Sequence, residues 1–521
     1  MPNGWYQLEN GRRTTTRASG VPVPQKKGVQ PLAPASPPMP RPSAPAPAPT
    51  PAPTPAPAPE PTPQSAVPKE TRQETMPPQI HPDPYGDELP TPYSQTVGPR
   101  GPVVLQDQIL HETLDTFVHS KTVERTVHVK GWGAFGHFES SRSMAEYTML
   151  PFLQTPGTRV STVSRFSLAV STKGTPDTSR NVRGFSTKFY SKEGPFDLLC
   201  NHLPVFSVRD AIRFPESIKA FLPSPRNNLL DPERFWNFVV RAPEAMHFVV
   251  WLYSDAGTIK SLRRMRAYGV NTYVWCNAAG VRRYVKYHWL PLAGTECITA
   301  QEAAKLACED PDLCGRDLWE TIHNGGCAEY ELNVQLMDPD QADKLPYDPV
   351  DDTKVWDEKQ FPLVPVGRLT LDRNPENYQD QVERLAFSPS NLLHGAEFSN
   401  DRMLQGRSFV YYDAQRYRLG PDFRSIPVNA QEDWTPAWQV SSGLGTRASG
   451  EQVRMPLEKS DDFAQAGAYY NSLDDTGKAH LAENLAADLR QVGGAVRGVV
   501  LGYLKKASPA LSEAVAKEIG A

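Results

Sequence analysis

The sequence predicts an α+β fold: an antiparallel β-barrel or sandwich, a long segment wrapped over it, and a small C-terminal helical domain. Three observations carry this. From about Val97 the chain holds short runs rich in Val, Phe and Tyr that alternate with polar residues and are punctuated by Gly, the pattern of strands joined by turns. These runs follow one another with longer insertions instead of alternating regularly with helices, which favours a barrel or sandwich over a doubly wound sheet. Beyond Asp461 apolar residues recur at helical spacing.

Taken in order, residues 1–78 form a tail. Of the 52 prolines, 22 lie before residue 80, and Ser43 to Gln64 reads SAPAPAPTPAPTPAPAPEPTPQ. A tract without backbone donors at alternate residues, and without large apolar side chains, predicts an extended polyproline spacer in a disordered tail whose partner is unknown. Residues 79–336 carry an N-terminal arm and the barrel. TVERTVHVKGWGAFGHFES, RVSTVSRFSLAVS, RGFSTKFYS, HFVVWLYSD, NTYVWCNAAG and VRRYVKYHWLP are its expected strands, and ITAQEAAKLACEDPD and GRDLWETIHNG are helical, with Thr299 and Asp310 as caps. Met337 to about Pro375, rich in Pro and Asp, is expected to wrap the surface irregularly. It opens a wrapping segment over 337–435, and 436–521 form the helical domain.

Composition excludes several classes. Lys+Arg total 55 against 59 Asp+Glu, a net charge of -4, so the surplus that nucleic-acid and anionic-membrane binders carry is lacking. No apolar stretch approaches the roughly 18 residues of a membrane-spanning helix. Six cysteines in 521 residues are too few for a disulfide scaffold, and MPNGWYQLENGRRTTTRASG lacks the apolar core of a secretory signal. A cytoplasmic location is the expectation.

Two patterns are set aside. Gly131 to Gly136 fits G-x-G-x-x-G, but Phe135, His137 and Phe138 continue a strand where a dinucleotide site needs a helix. Cys308, Cys314, His323 and Cys327 contain no CxxC pair, so they read as structural thiols and a surface histidine. A third pattern, RMLQGRSFVYYDAQRYRLGPDF, reads as a helix from Arg407 closed by Gly420, with Arg407 and Tyr411 four apart on one face. An arginine against a phenol oxygen favours phenolate, a hard ligand suited to ferric iron. On chemistry alone Tyr411 remains either a core residue or a metal ligand.

Arg407, Tyr411, Asp413, Arg416, Arg418 and Gly420 resemble the proximal signature R-x-F-x-Y-x-D-x-x-R-x-R-x-G of the haem catalases, whose axial ligand is a tyrosine. GPRGPVVLQD, ERTVHVKGWGAFGHFE, RFS at Arg165, NVRGFSTKFY, DLLCNHLPVFSVRDAIRFP and MLQGR match that family in order, from about Val97 to about Asn429, and the C-terminal helices resemble its small-subunit type. The resemblance implies a haem-containing antiparallel β-barrel, with haem b the expected form. It implies disproportionation of hydrogen peroxide to water and dioxygen through a ferryl haem intermediate, in a homotetramer. Carried over by position, His128 is the distal acid/base, Asn201 its partner, Ser167 the residue orienting it, and Tyr411 the iron ligand with Arg407 beside it. Arg125, Arg165 and Arg418 match propionate arginines, Phe214 the ring on the porphyrin, and Val127, Phe206 and Met403 the pocket wall. The same barrel also serves haem lipid-hydroperoxide isomerases and peroxidases, and a non-catalytic haem-binding protein is the third reading. In NADPH-binding members two cations face the 2′-phosphate; here Ala256 and Leu290 stand in their places although His247 and His288 match, which predicts no bound NADPH.

Overall fold

Eight antiparallel strands close on themselves so that the inward apolar face each one carries finds cover. They are β1 (Gly131–Ser140), β2 (Arg159–Leu168), β3 (Arg183–Ser191), β4 (Gly194–Asn201), β5 (Ala267–Tyr268), β7 (Arg282–Pro291), β8 (Ala328–Met337) and β9 (Val364–Arg373). The order runs β8-β9-β1-β2-β3-β4-β5-β7 and returns to β8, with β6 (Tyr273–Cys276) added beside β7 and β10 (Ala396–Phe398) beside β6. The structure, a computed structural model, describes residues 81–82, 88–89, 93–119, 122–430, 450–457 and 461–520. The tail expected over 1–78 lies outside them.

The barrel interior is filled by side chains. Phe138, Phe166, Phe185, Phe189, Trp289 and Tyr330 are buried there, with Phe166 and Phe185 rings 4.4 Å apart. Gly136 sits in β1 so that β9 can approach: a Cβ there would lie 1.8 Å from the Thr370 carbonyl. The glycine-rich run therefore serves strand packing.

A second apolar core lies among helices. α3 (Pro232–Arg241) and α4 (Met246–Tyr253) pack with α8 (Ala464–Ser472), α9 (Asp475–Leu489), α10 (Gly494–Ala507) and α11 (Pro509–Ile519). Trp251 stacks on Tyr469 with ring centroids 3.7 Å apart, and Asp488 of α9 accepts from Trp236 at 2.8 Å and from Tyr253.

Several expectations are corrected. HFVVWLYSD, expected as a strand, is the helix α4. It is buried on nearly every side, and a continuous apolar run carries no period to separate the two states. The wrapping stretch Met337 to Pro375 contains β9, whose alternation was hidden by flanking Pro and Asp. The first strand begins at Gly131, so His128 precedes it, with φ +63°. Thr299 caps its helix through Glu302 N at 3.1 Å, whereas the N-cap of the next helix is Asp312, and Asp310 instead pairs with Arg316.

Candidate active site

Strand alternation sends one set of side chains into the barrel and the other outward. Phe166, Phe185 and Leu198 face the interior core, while their neighbours Arg165, Ser167, Gly184, Ser186, Leu199 and Asn201 line a cavity of about 300 Å³. Its opposite wall is α7 (Arg402–Leu419), which contributes Arg407, Tyr411, Gln415 and Arg418. The site thus lies between the outer barrel wall and a helix. A second cavity of about 430 Å³ shares Val127, His128, Asn201, Phe214 and Tyr411 with the first and extends past Phe206.

The barrel-side wall is built on an unusual backbone. His128 is one of three described non-glycine residues with positive φ, a conformation that costs of order 1–3 kcal/mol and persists only where surroundings impose it. Its N–H donates to the Ala169 carbonyl at 2.7 Å, and Arg165 donates to the His128 and Val129 carbonyls at 3.0 and 3.2 Å. The ring is held by Nδ1 at 2.9 Å from Ser167 Oγ. Beneath it Gly184 leaves the room the ring occupies, since a Cβ would fall 2.8 Å from His128 Cε1 and 2.9 Å from Ser167 Oγ and would have to displace them. Burial, reinforced by Arg165, Arg407 and Arg125, pushes the imidazole pKa down to about 3, so the ring is neutral near neutrality.

The helix-side wall is regular. Asp401 caps α7 by accepting from Leu404 N at 2.9 Å, and Gly420, at φ +91°, closes it. Arg407 Nη2 donates to Tyr411 Oη at 3.3 Å, its guanidinium lies 5.0 Å from the Tyr411 ring centroid and 5.2 Å from that of Phe206, and Nη1 donates to Asn271 Oδ1. Burial alone would lower the Arg407 pKa, but the Tyr411 and Tyr273 oxygens outweigh it and the net shift is upward.

At one end Arg125, Arg165 and Arg418 converge on the cavity. Burial lowers the pKa of Arg125 and Arg418, Arg165 adds to this, and Glu383 opposes it. The Arg165 Nε is buried without a hydrogen-bond partner. Three buried cations beside one carboxylate want an anion. With an arginine-paired phenol on α7 and walls of Val127, Leu199, Phe214, Leu385 and Phe387, this donor set fits a haem: a phenolate for iron, cations for two carboxylates, apolar surface for the ring.

Of the residues read from sequence, the structure brings all but Met403 to one or other cavity. Met403 is fully buried in the first turn of α7, in the helical core. Sequence reasoning missed Gly184, Asn271 and Glu383. No local pattern marks them, because each matters through residues distant in the chain.

The family profile described as "Catalase" matches residues 86–455, and "Catalase-related immune-responsive" matches 456–519. Catalase-2 of Bacillus subtilis is 36% identical over 469 residues, covering 82% of this chain and 68% of that protein. Catalase isozyme 3 of Zea mays is 37% identical over 456 residues, covering 81% and 92%. Among solved structures, catalase A from Saccharomyces cerevisiae superimposes with a TM-score of 0.78 at 33% identity, covering 84% of this chain and 99% of that one.

Proposed function

The chain belongs to the catalase family and is a haem catalase acting on hydrogen peroxide, and from that premise we propose which of its residues do the work. One observation carries the assignment: His128 with Ser167 and Asn201 on the barrel wall, and Tyr411 with Arg407 on α7, border the same cavity. Tyr411 and Arg407 hold the iron side, and Arg125, Arg165 and Arg418 take the carboxylates. When bound, haem b supplies reversible redox chemistry at iron.

The remaining steps belong to the protein. Peroxide enters between His128 and Asn201, where apolar walls limit competing water. With Nδ1–H donating to Ser167, His128 keeps a lone pair on Nε2, which takes the proton of one peroxide oxygen and returns it to the other. Ser167 fixes the ring and its tautomer, and the Asn201 amide donates to the substrate oxygen. A basic nitrogen held neutral among cations can carry this proton in both directions without retaining it. Purified protein should show a haem absorption spectrum and release dioxygen vigorously on adding peroxide. Isomerisation of a lipid hydroperoxide without dioxygen would instead establish the isomerase reading, and its reduction by an added electron donor the peroxidase reading.

The match spans 92% of the plant isozyme, which supports the small-subunit type; the mass of the subunit isolated from its source tests this. Exposed Ile109, Leu114 and Val118 on α1 (Gln108–His119), with Phe409 and Tyr417 on α7, support a homotetramer, testable by light scattering. All six cysteines are free thiols and no described helix is long and apolar enough to cross a membrane, which supports a cytoplasmic location, testable by fractionation. The reading without NADPH is supported by Arg266, whose guanidinium is 2.6 Å from Glu358 and lies over Tyr268. His247 and His288 are also engaged, with Thr353 O at 2.9 Å and Gln335 Oε1 at 3.0 Å. Saturable low-micromolar binding in a fluorescence titration would overturn it.

A further inference from the structure

Residues 379–385 organise the cationic end of the cavity from behind. Gln379–Glu383 is a single π-helical turn, a local departure from α-geometry that is frequent at functional sites because it redirects backbone carbonyls. Here the carbonyls converge on two guanidinium groups. Arg125 Nη2 donates to Val382 O at 3.1 Å, Glu383 O at 2.7 Å and Leu385 O at 3.0 Å. Arg418 donates to Glu383 O at 2.5 Å and Leu385 O at 2.9 Å. The Glu383 side chain, 2% exposed, then closes on Arg125 Nη1 at 3.1 Å, while its Oε2 has no hydrogen-bond partner.

A buried carboxylate is costly unless cations repay it, and removing one partner of such a pair leaves an uncompensated charge. Glu383 is repaid by Arg125 and Arg418 together. Arg165 lies in the same group, so three cations and one anion leave a surplus of two positive charges, the count that a ligand with two carboxylates neutralises. We propose that Glu383 is a positioning residue for the haem site, its carboxylate fixing Arg125 and its charge setting the surplus of the Arg125, Arg165 and Arg418 group to match a dicarboxylate, while Arg418 is bonded to this turn through backbone carbonyls alone. It touches neither substrate nor the ligand. The inference rests on the haem reading above and adds a residue to it.

The test separates charge from shape, and a failure of this inference from a failure of that reading. Full-length protein made in haem-replete cells is compared as wild type, Glu383→Gln and Glu383→Asp, reading haem content per chain and the rate at which haem passes to excess apomyoglobin. If the wild type carries no haem, the haem reading fails. If it does, Glu383→Gln, equal in shape but uncharged, should release haem at least about tenfold faster, with the absorption spectrum of the loaded fraction unchanged. Glu383→Asp, shorter but charged, should stay within about threefold of wild type. A purely structural role predicts the reverse, Gln harmless and Asp harmful, and that result or slower release from Glu383→Gln overturns the proposal. Should Glu383→Gln fail to accumulate, the double variant Glu383→Gln with Arg418→Gln restores the surplus of two. It should accumulate and release haem more slowly than Arg418→Gln and Glu383→Asp combined, and multiplicative losses would overturn the coupling.

Discussion

The two walls of the cavity are built on opposite principles. On α7, Arg407 and Tyr411 meet because any two helical residues four apart do so, and a cap at each end fixes the frame. On the barrel side, His128 hangs outside regular structure at φ +63°, anchored by Ala169, Arg165 and Ser167, all distant in sequence. Regular structure suits a permanent ligand, whose position must merely be constant. A residue that exchanges protons with substrate must present one nitrogen at one angle, and the strained backbone is held there by contacts with the neighbouring strand and the loop after it.

That contrast is broken most severely by His128→Ala. Dioxygen evolution should fall by about 10²–10⁴, the usual worth of general acid/base transfer, while the haem spectrum persists because the helix wall is intact. Tyr411→Phe should do the opposite: haem content per chain drops steeply while the fold, followed by circular dichroism, remains. Full haem occupancy with a normal spectrum would show that α7 does not supply the ligand. The wall without regular structure should also respond to a change that adds only one carbon. Gly184→Ala places a methyl 2.8 Å from the imidazole and should cost about 10–100-fold in turnover through misplacement, with haem retained. Wild-type turnover in this variant would mean that the ring position is not decisive.

Legibility in the sequence follows the same division. The helix around Tyr411, its closing Gly420 and the strands with clear alternation could be read locally, because period and caps are local properties. α4 could not, since Met246 to Tyr253 is apolar throughout and either state buries it. β9 was concealed by its Pro- and Asp-rich flanks. The residues proposed for the site were legible through family resemblance, Ser167 behind His128 among them, yet the other supports were not. The left-handed backbone of His128, the space Gly184 leaves and the carbonyl clamp around Glu383 arise from pairings across as many as 260 positions, which no local window contains.

The smallest expected effect concerns acid; of the two walls it bears on the barrel side, while His247 and His288, buried elsewhere, are held neutral in the same way. His128 and His202, which brackets Asn201 in the same wall, are both held neutral: burial leads in each case, followed by Arg165 for His128 and Arg183 for His202. His202 Nδ1 accepts from Arg183 N at 2.9 Å, an acceptor role that protonation abolishes. Unfolded histidine titrates near 6.5, so between that value and the much lower folded ones the unfolded chain binds more protons than the folded protein. Stability is therefore complete above about pH 6.5 and declines as pH falls toward about 3, at up to about 1.4 kcal/mol per pH unit for each such histidine. The α7 face of the cavity contributes no histidine among its lining residues. Melting temperature should accordingly drop between pH 6.5 and 4, and His202→Gln should flatten that slope even if it lowers stability at pH 7. An unchanged slope in this variant would mean that acid sensitivity lies elsewhere, and that the strained wall is no more vulnerable to protons than the helix facing it.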